Sequence, residues 1–352
     1  MHDGLTARLT RFTRRLLDPS HAPAGVLEHA LHDLTRMFAP APRPGAGAAA
    51  KPAVRPPRAA VPAHGTVSEI SGFGLNPGAL RMLAYVPAQP PVAGAPLLVL
   101  LHGCGQDAAG FARASGFTAL ADRIGAALLL PDQQAGNNHG RCFNWFEPHD
   151  VRRGSGEVAS IAQMVGFALQ RFASDPKQVF VAGLSAGGAM TAALLVAYPE
   201  MFAAGGVVAG LPAGAASDVR SALGRMQNAG TDSQETWVAR AAPPRAGGIA
   251  WPRPPRLSVW AGSADHTVDP ANADALVAQW TGLHGLSAAP DSEKEVAPGI
   301  HRRAWGSAIE QWTIADFGHA FPATIAGADP FVQMARVGAA EAMAKFWGLT
   351  HR

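Results

Sequence analysis

The chain has 352 residues, 48% of them hydrophobic and 16% charged, a balance that suits a folded body with a sizeable core and excludes wholesale disorder. Its formal charge of +3 is unevenly placed: residues 1–64 carry nine Lys/Arg against four Asp/Glu and the remainder twenty against twenty-two, so the body lacks the basic footprint of a nucleic-acid binder. No apolar run reaches the roughly eighteen residues of a membrane span, and two cysteines are too few for a disulfide scaffold or a paired Cys/His zinc site.

Leu5, Leu9, Phe12 and Leu16 recur at helical spacing with Arg8, Arg11, Arg14 and Arg15 on the other faces, and Leu27, Leu31, Leu34 and Phe38 follow after a break at Pro19 to Pro23. We therefore expect an amphipathic helical arm over 1–38, either packed on the body or docking on an anionic or apolar surface. Residues 39–64 hold seven prolines, four basic residues and no acid, and read as a linker. The opening Met1-His2-Asp3-Gly4-Leu5 lacks the apolar core of a secretory signal, so the cytoplasm is the expected compartment and export the alternative.

Order is expected from residue 65 to 352. Thr66 to Ile70 and Leu80 to Val86 flank the turn residues Asn76-Pro77-Gly78 and read as an antiparallel pair at a sheet edge. Leu97 to Leu101 is apolar on both faces, which marks a buried central strand, and Ala126 to Leu130 is the next. Residues 108–121 and 155–172 read as helices, the second with Val158, Ile161, Val165, Leu169 and Phe172 on one face. Further strands are expected at Gly205 to Ala209, Leu257 to Trp260, Arg302 to Trp305 and Glu310 to Ile314, and helices at 269–281 and from Phe331 to Phe346. This alternation predicts an α/β protein with a doubly wound, mostly parallel sheet and helices on both faces. The stretch 211–253, rich in Gly, Ala and Pro, reads as a lid-like insert or a plain surface insertion, with Met226 and Trp237 as its apolar contacts to substrate.

The stretch from Gln178 to Met190 carries the chemistry. An apolar run of strand length meets Gly183-Leu184-Ser185-Ala186-Gly187 and continues into small, helix-compatible residues, the strand, sharp turn and helix of a nucleophile elbow with Ser185 at its tip. An α/β-hydrolase then needs an acid and a histidine, in that order, after later strands. Asp265 lies in the turn just past Leu257 to Trp260, whereas Asp269 sits at a helix start and suits an N-cap. His319 follows the strand ending near Asp316, while His301 precedes a strand and His351 is at the terminus. Ser185, Asp265 and His319 are accordingly the expected triad. The oxyanion donors are expected to be the backbone N–H of Ala186 and that of Cys104, with Gly105 as alternate, in the turn His102-Gly103-Cys104 after the first central strand; His102 itself is expected to brace that turn. The loop from Pro131 through Arg141-Cys142-Phe143-Asn144-Trp145-Phe146 borders the same crevice, with Asn144 and Trp145 as candidate substrate contacts. Cys104 and Cys142 lie in neighbouring loops, and both a bridge and two free thiols stay open.

Together, Leu-His-Gly-Cys-Gly-Gln, Arg-Cys-Phe-Asn-Trp-Phe, Gly-Leu-Ser-Ala-Gly-Gly-Ala-Met, Gly-Ser-Ala-Asp-His-Thr-Val and the closing Lys-Phe-Trp-Gly-Leu resemble the poly(3-hydroxybutyrate) depolymerase family of esterases, which includes feruloyl and acetylxylan esterases. The resemblance runs from about residue 66 to 349. It implies an α/β-hydrolase that cleaves carboxylic esters through an acyl-enzyme, with Ser185, Asp265 and His319 as triad and no metal or cofactor. It also implies that the two cysteines are paired, as in secreted relatives. The expected substrate is polyhydroxyalkanoate or a short hydroxyalkanoate ester. A feruloyl or acetylxylan type of carbohydrate acyl esterase is the alternative within the fold. A granule- or membrane-surface binding protein with a vestigial triad is the alternative outside it. Nothing in the sequence marks an oligomeric state.

Overall fold

The computed structural model describes residues 65–241, 254–325 and 329–349. The arm over 1–38, the linker over 39–64, the last part of the insert and His351 lie outside the described residues. What remains is built on a ten-stranded sheet. β1 (Thr66–Ile70), β2 (Arg81–Val86), β3 (Leu97–Leu101), β4 (Ala127–Asp132), β5 (Val179–Leu184), β6 (Ala204–Val208) and β7 (Arg256–Gly262) are joined by β8 (Ser292–Ala297), β9 (Ile300–Trp305) and β10 (Ile309–Ile314). The spatial order is β1-β2-β4-β3-β5-β6-β7-β10-β9-β8. The strands from β4 to β10 run parallel, and the pairs at each edge are antiparallel.

Alternation along the central strands explains why both faces are covered. In β3, Leu97, Val99 and Leu101 enter one core while Leu98 and Leu100 enter the other; in β5, Val179 and Val181 oppose Phe180, Ala182 and Leu184 in the same way. The first core is closed by α4 (Gly156–Arg171), which follows the one-turn helix α3 (Pro148–Val151), by α5 (Ala186–Ala197) and by α8 (Ala271–His284), and the second by α1 (Ala108–Ala114), α2 (Phe117–Ile124) and α9 (Ala339–Trp347). Trp347 of the closing helix stacks on Phe180 at 5.1 Å between ring centroids, which gives the Lys-Phe-Trp motif a packing role.

Several elements differ from expectation. The helix foreseen over 108–121 breaks at Ser115-Gly116, where Gly116 takes φ 86° and starts α2. The closing helix starts at Ala339 rather than Phe331, because Val332–Met334 forms β12, which pairs in parallel with β11 (Phe321–Ala323) just beyond His319. β8 was not foreseen: its Ser-Glu-Lys-Glu sequence is exposed and charged, as befits an edge strand. The insert contributes α6 (Val219–Gln227) and α7 (Gln234–Ala241), and α7 packs on α8. Gln279 of α8 donates to the carbonyls of Ala213 and Trp237 at 2.9 Å and accepts from the Ala213 N–H at 3.0 Å. Trp237 is 1% exposed and Met226 is buried in the same core. These two side chains therefore hold the insert to the body, and the expectation that they meet substrate is corrected.

On the far side of the sheet a buried acid ties three strands together. Glu310 on β10, 2% exposed, accepts from Ser258 Oγ of β7 at 2.7 Å and from Arg302 Nε of β9 at 2.7 Å. Trp260 Nε1 donates to the same serine, and its ring stacks on Trp312 at 4.6 Å. Removing the guanidinium strands a buried carboxylate, so Arg302→Met is expected to lower stability by about 3 kcal/mol, with much of the loss recovered on adding Glu310→Gln. Urea unfolding of the two variants measures this; an Arg302→Met midpoint equal to that of the parent contradicts it.

Candidate active site

Ser185 lies between β5 and α5, as the N-cap of the helix, with φ 56° and ψ −120°, a left-handed conformation that a residue with a Cβ adopts only under constraint. Its N–H donates to the Val208 carbonyl of β6 at 2.9 Å. Both glycines of the elbow sit where no side chain fits: a Cβ on Gly183 would collide with the Gly187 carbonyl, and one on Gly187 with the carbonyls of Leu101 and His102. The turn is thus pressed against the end of β3, beside the residues that follow that strand.

Asp265 and His319 reach Ser185 from the ends of neighbouring strands. Asp265 follows β7 and is 5% exposed; its Oδ1 accepts the backbone N–H groups of Thr267 at 2.8 Å and Val268 at 2.9 Å. The other oxygen accepts from His319 Nδ1 at 2.7 Å. That bond places the ring proton on Nδ1 and leaves Nε2 to accept from Ser185 Oγ at 2.9 Å. A continuous chain of two hydrogen bonds therefore links the three residues. Asp269 instead accepts from the Ala271 N–H at 3.0 Å at the start of α8, and His301 lies on β9.

Ala186 is the first residue of α5, where helical N–H groups have no partner within the helix. In the turn after β3, the Gly105 N–H is engaged by the Gly140 carbonyl at 2.8 Å, whereas that of Cys104 donates to no group among the described residues. Cys104 is therefore the better placed of the two candidate donors. Buried His102 donates from Nδ1 to the Gly103 carbonyl at 2.8 Å and accepts the Gln133 N–H at Nε2 at 3.1 Å. Burial lowers its pKa, which keeps the ring neutral for that double role. A cleft of about 480 Å³ beside this turn is lined by Gly105, Gln106, Arg113, Asp329 and Phe331, among others, and does not include Ser185 or His319.

Cys104 and Cys142 are joined by a disulfide. Closing a loop of that length contributes about 4 kcal/mol in the chain-entropy account. The two candidate substrate contacts, Asn144 and Trp145, follow Cys142 in the loop. Trp145 is 7% exposed and packs edge-on against Phe146 within the core, so it offers little surface to a ligand. The Asn144 side chain is engaged at both ends, donating to Glu157 Oε1 at 2.9 Å and accepting from Asn138 at 2.9 Å.

Glu157 is the residue that the sequence did not single out. An acid in the first turn of an amphipathic helix reads as an ordinary partner of the helix dipole. Here it is wholly buried beneath the 137–144 loop and receives the Asn144 N–H, the side-chain amides of Asn144 and Gln133, and a longer bond from Asn137. Burial pushes its pKa up to about 8, helped by Asp150 nearby and opposed by the donors from Asn144 and Gln133. Among the described residues no cluster of three or more His, Cys, Asp or Glu could hold a metal ion, and no helix is long and apolar enough to cross a membrane.

A carboxyl whose pKa is higher in the folded state binds more protons folded than unfolded, so its contribution to stability falls as pH rises between the two values. For Glu157 that window runs from 4.5 to about 8. The stability of the wild type minus that of Glu157→Gln, measured by denaturant unfolding at several pH values, is therefore expected to decline across the window and to level off above it. A difference that is flat or grows with pH contradicts the assignment.

Residues 80–297 match the family model described as Esterase PHB depolymerase. The chain is 40% identical over 262 residues to poly(3-hydroxyalkanoate) depolymerase C of Paucimonas lemoignei, covering 73% of this chain and 62% of that protein. It thus spans rather less than two thirds of that relative's length. Over 274 residues it is 29% identical to feruloyl esterase B of Talaromyces funiculosus, covering 74% of each. Among solved structures, an acetyl xylan esterase from Aspergillus awamori superposes with a TM-score of 0.70 at 24% identity, over 81% of this chain and all of that one, which supports the α/β-hydrolase fold. The chain belongs to the Esterase PHB depolymerase family.

Proposed function

We propose that this protein is a serine carboxylic-ester hydrolase acting on polyhydroxyalkanoate or short hydroxyalkanoate esters. The observation that carries the reading is the chain of hydrogen bonds from Ser185 Oγ through His319 to Asp265. Ser185 Oγ attacks the ester carbonyl carbon while His319 Nε2 takes its proton. Asp265 holds the ring and stabilises the imidazolium that forms. The carbonyl oxygen becomes an oxyanion facing the N–H groups of Ala186 and Cys104, an interaction worth several kcal/mol. Collapse of the intermediate breaks the bond to the alcohol oxygen, which leaves with the proton from His319. Water, deprotonated by the same nitrogen, then cleaves the acyl-serine and releases the acid. No step calls for a metal or a cofactor.

The identity to a poly(3-hydroxyalkanoate) depolymerase supports the hydroxyalkanoate assignment, and the similarity to feruloyl and acetyl xylan esterases keeps acylated carbohydrate as the second reading. An intact hydrogen-bonded triad argues against a vestigial site and so against a pure binding protein, whose basic arm would be its working part. The disulfide favours an oxidising compartment, and with it export, over the cytoplasm suggested by the first residues.

A panel of 3-hydroxybutyrate oligomers, methyl ferulate and acetylated xylan, run on the wild type and Ser185→Ala, tests both parts. Oligomers are expected to turn over fastest, and Ser185→Ala to lose at least about 10³-fold in kcat/KM. Undiminished turnover in Ser185→Ala contradicts the mechanism, and preference for the ferulate or the xylan selects the second reading.

A further inference from the structure

Glu157 takes no part in the reaction just described, yet it is wholly buried behind the loop that borders the oxyanion turn. Apart from the longer bond from Asn137, which leads to the Gly78 carbonyl, its side-chain contacts lead in one direction. Oε2 accepts the Asn144 N–H at 2.9 Å; Oε1 accepts Asn144 Nδ2 at 2.9 Å and Gln133 Nε2 at 2.6 Å. Gln133 Nε2 also donates to the Cys142 carbonyl at 3.0 Å, and the Gln133 backbone N–H to His102 Nε2 at 3.1 Å. Asn144 Oδ1 accepts from Asn138, whose own Oδ1 accepts the N–H groups of Gly140 at 3.0 Å and Cys142 at 3.2 Å. Cys142 is bonded to Cys104, and the Gly140 carbonyl receives the Gly105 N–H. Each of these routes out of Glu157 ends on residues 102–105, the turn that presents the Cys104 N–H.

The geometry points to Glu157 as a positioning residue for the oxyanion side of the site: through Gln133, Asn138 and Asn144 it fixes the 138–144 loop, whose disulfide and Gly140 carbonyl hold the Cys104 N–H in line. The inference rests on the serine-esterase reading above. It also explains the fate of Asn144, whose amide serves the loop. Small displacements matter here, because an oxyanion donor acts only when it is already aimed at the position the charged oxygen will take. Loss of Glu157 leaves the Gln133 and Asn144 donors without their buried acceptor, and the loop relaxes to satisfy them elsewhere. The defect is then felt in the transition state more than in ground-state binding.

The test compares the full-length wild type, Glu157→Leu and Asn144→Ala on p-nitrophenyl acetate, each normalised to the sites titrated by a fluorophosphonate. Asn144→Ala removes two of the side-chain bonds while keeping the backbone N–H bond, so it decides the matter if Glu157→Leu does not fold. Expected is a kcat per titrated site about tenfold lower in Glu157→Leu and about threefold lower in Asn144→Ala, with KM within about twofold. Affinity for a trifluoromethyl ketone, whose serine adduct carries the same oxyanion, is expected to weaken by the same factors. A purely structural role predicts fewer titratable sites with unchanged kcat per site, and that result overturns the inference. Wild-type turnover that persists in Ser185→Ala overturns the serine-esterase reading, and this inference with it.

Discussion

Ser185 is held at φ 56° because the backbone on either side of it has no other way to lie. The elbow is wedged between β6, whose Val208 carbonyl receives the Ser185 N–H, and the end of β3, against which only a glycine at 187 can rest. Such a conformation costs on the order of 1 to 3 kcal/mol for a residue with a side chain, and the burial of β3, β5 and α5 in two cores sustains it. The same wedge lifts Oγ out of the sheet and sets the first turn of α5 beside it. It also brings the turn after β3 alongside the elbow. The proposed nucleophile, the helix N-terminus and the turn proposed to hold the oxyanion are thus consequences of one close approach between two parallel strands.

Around that point the polar groups divide into two sets with different work. Asp265 and His319 form a short hydrogen-bonded line to Ser185, anchored by backbone N–H groups at one end, and the proposed reaction moves its proton along this line. His102, Gln133, Asn138, Asn144 and Glu157 form a second set, with His102, Gln133 and Glu157 fully buried, that takes no part in the proposed proton transfer and gives the disulfide loop its shape. A buried network of this kind is favourable only when its members are satisfied, which is why the carboxyl of Glu157 and the loop amides stand or fall together.

Ser185, Asp265 and His319, which two hydrogen bonds join, could be picked out of the sequence because their signals are local and ordered: a glycine-flanked serine after an apolar strand, an acid one turn past a later strand, and a histidine in a loop after a strand later still. The central strands were legible because a strand buried on both faces is apolar throughout. What escaped has a common cause. Met226 and Trp237 were placed near substrate on residue type, but residue type does not tell which way a side chain turns within an irregular insert. Glu157 looked like any acid in a helix's first turn, and β8 like a solvated loop. Val332 to Met334 reads as helix in isolation and became strand only because Phe321 to Ala323 lies beside it. In each case tertiary surroundings decided between local options that the sequence leaves equal.

The account stands on a covalent intermediate at Ser185, and rapid quenching of a reaction with p-nitrophenyl butyrate, followed by mass analysis of the digested chain, observes it directly. A burst of one p-nitrophenol per chain, with a butyryl mass increment on the peptide that carries Ser185, is the predicted result. Steady turnover with no increment on that peptide, or with the acyl group on another residue, would contradict it.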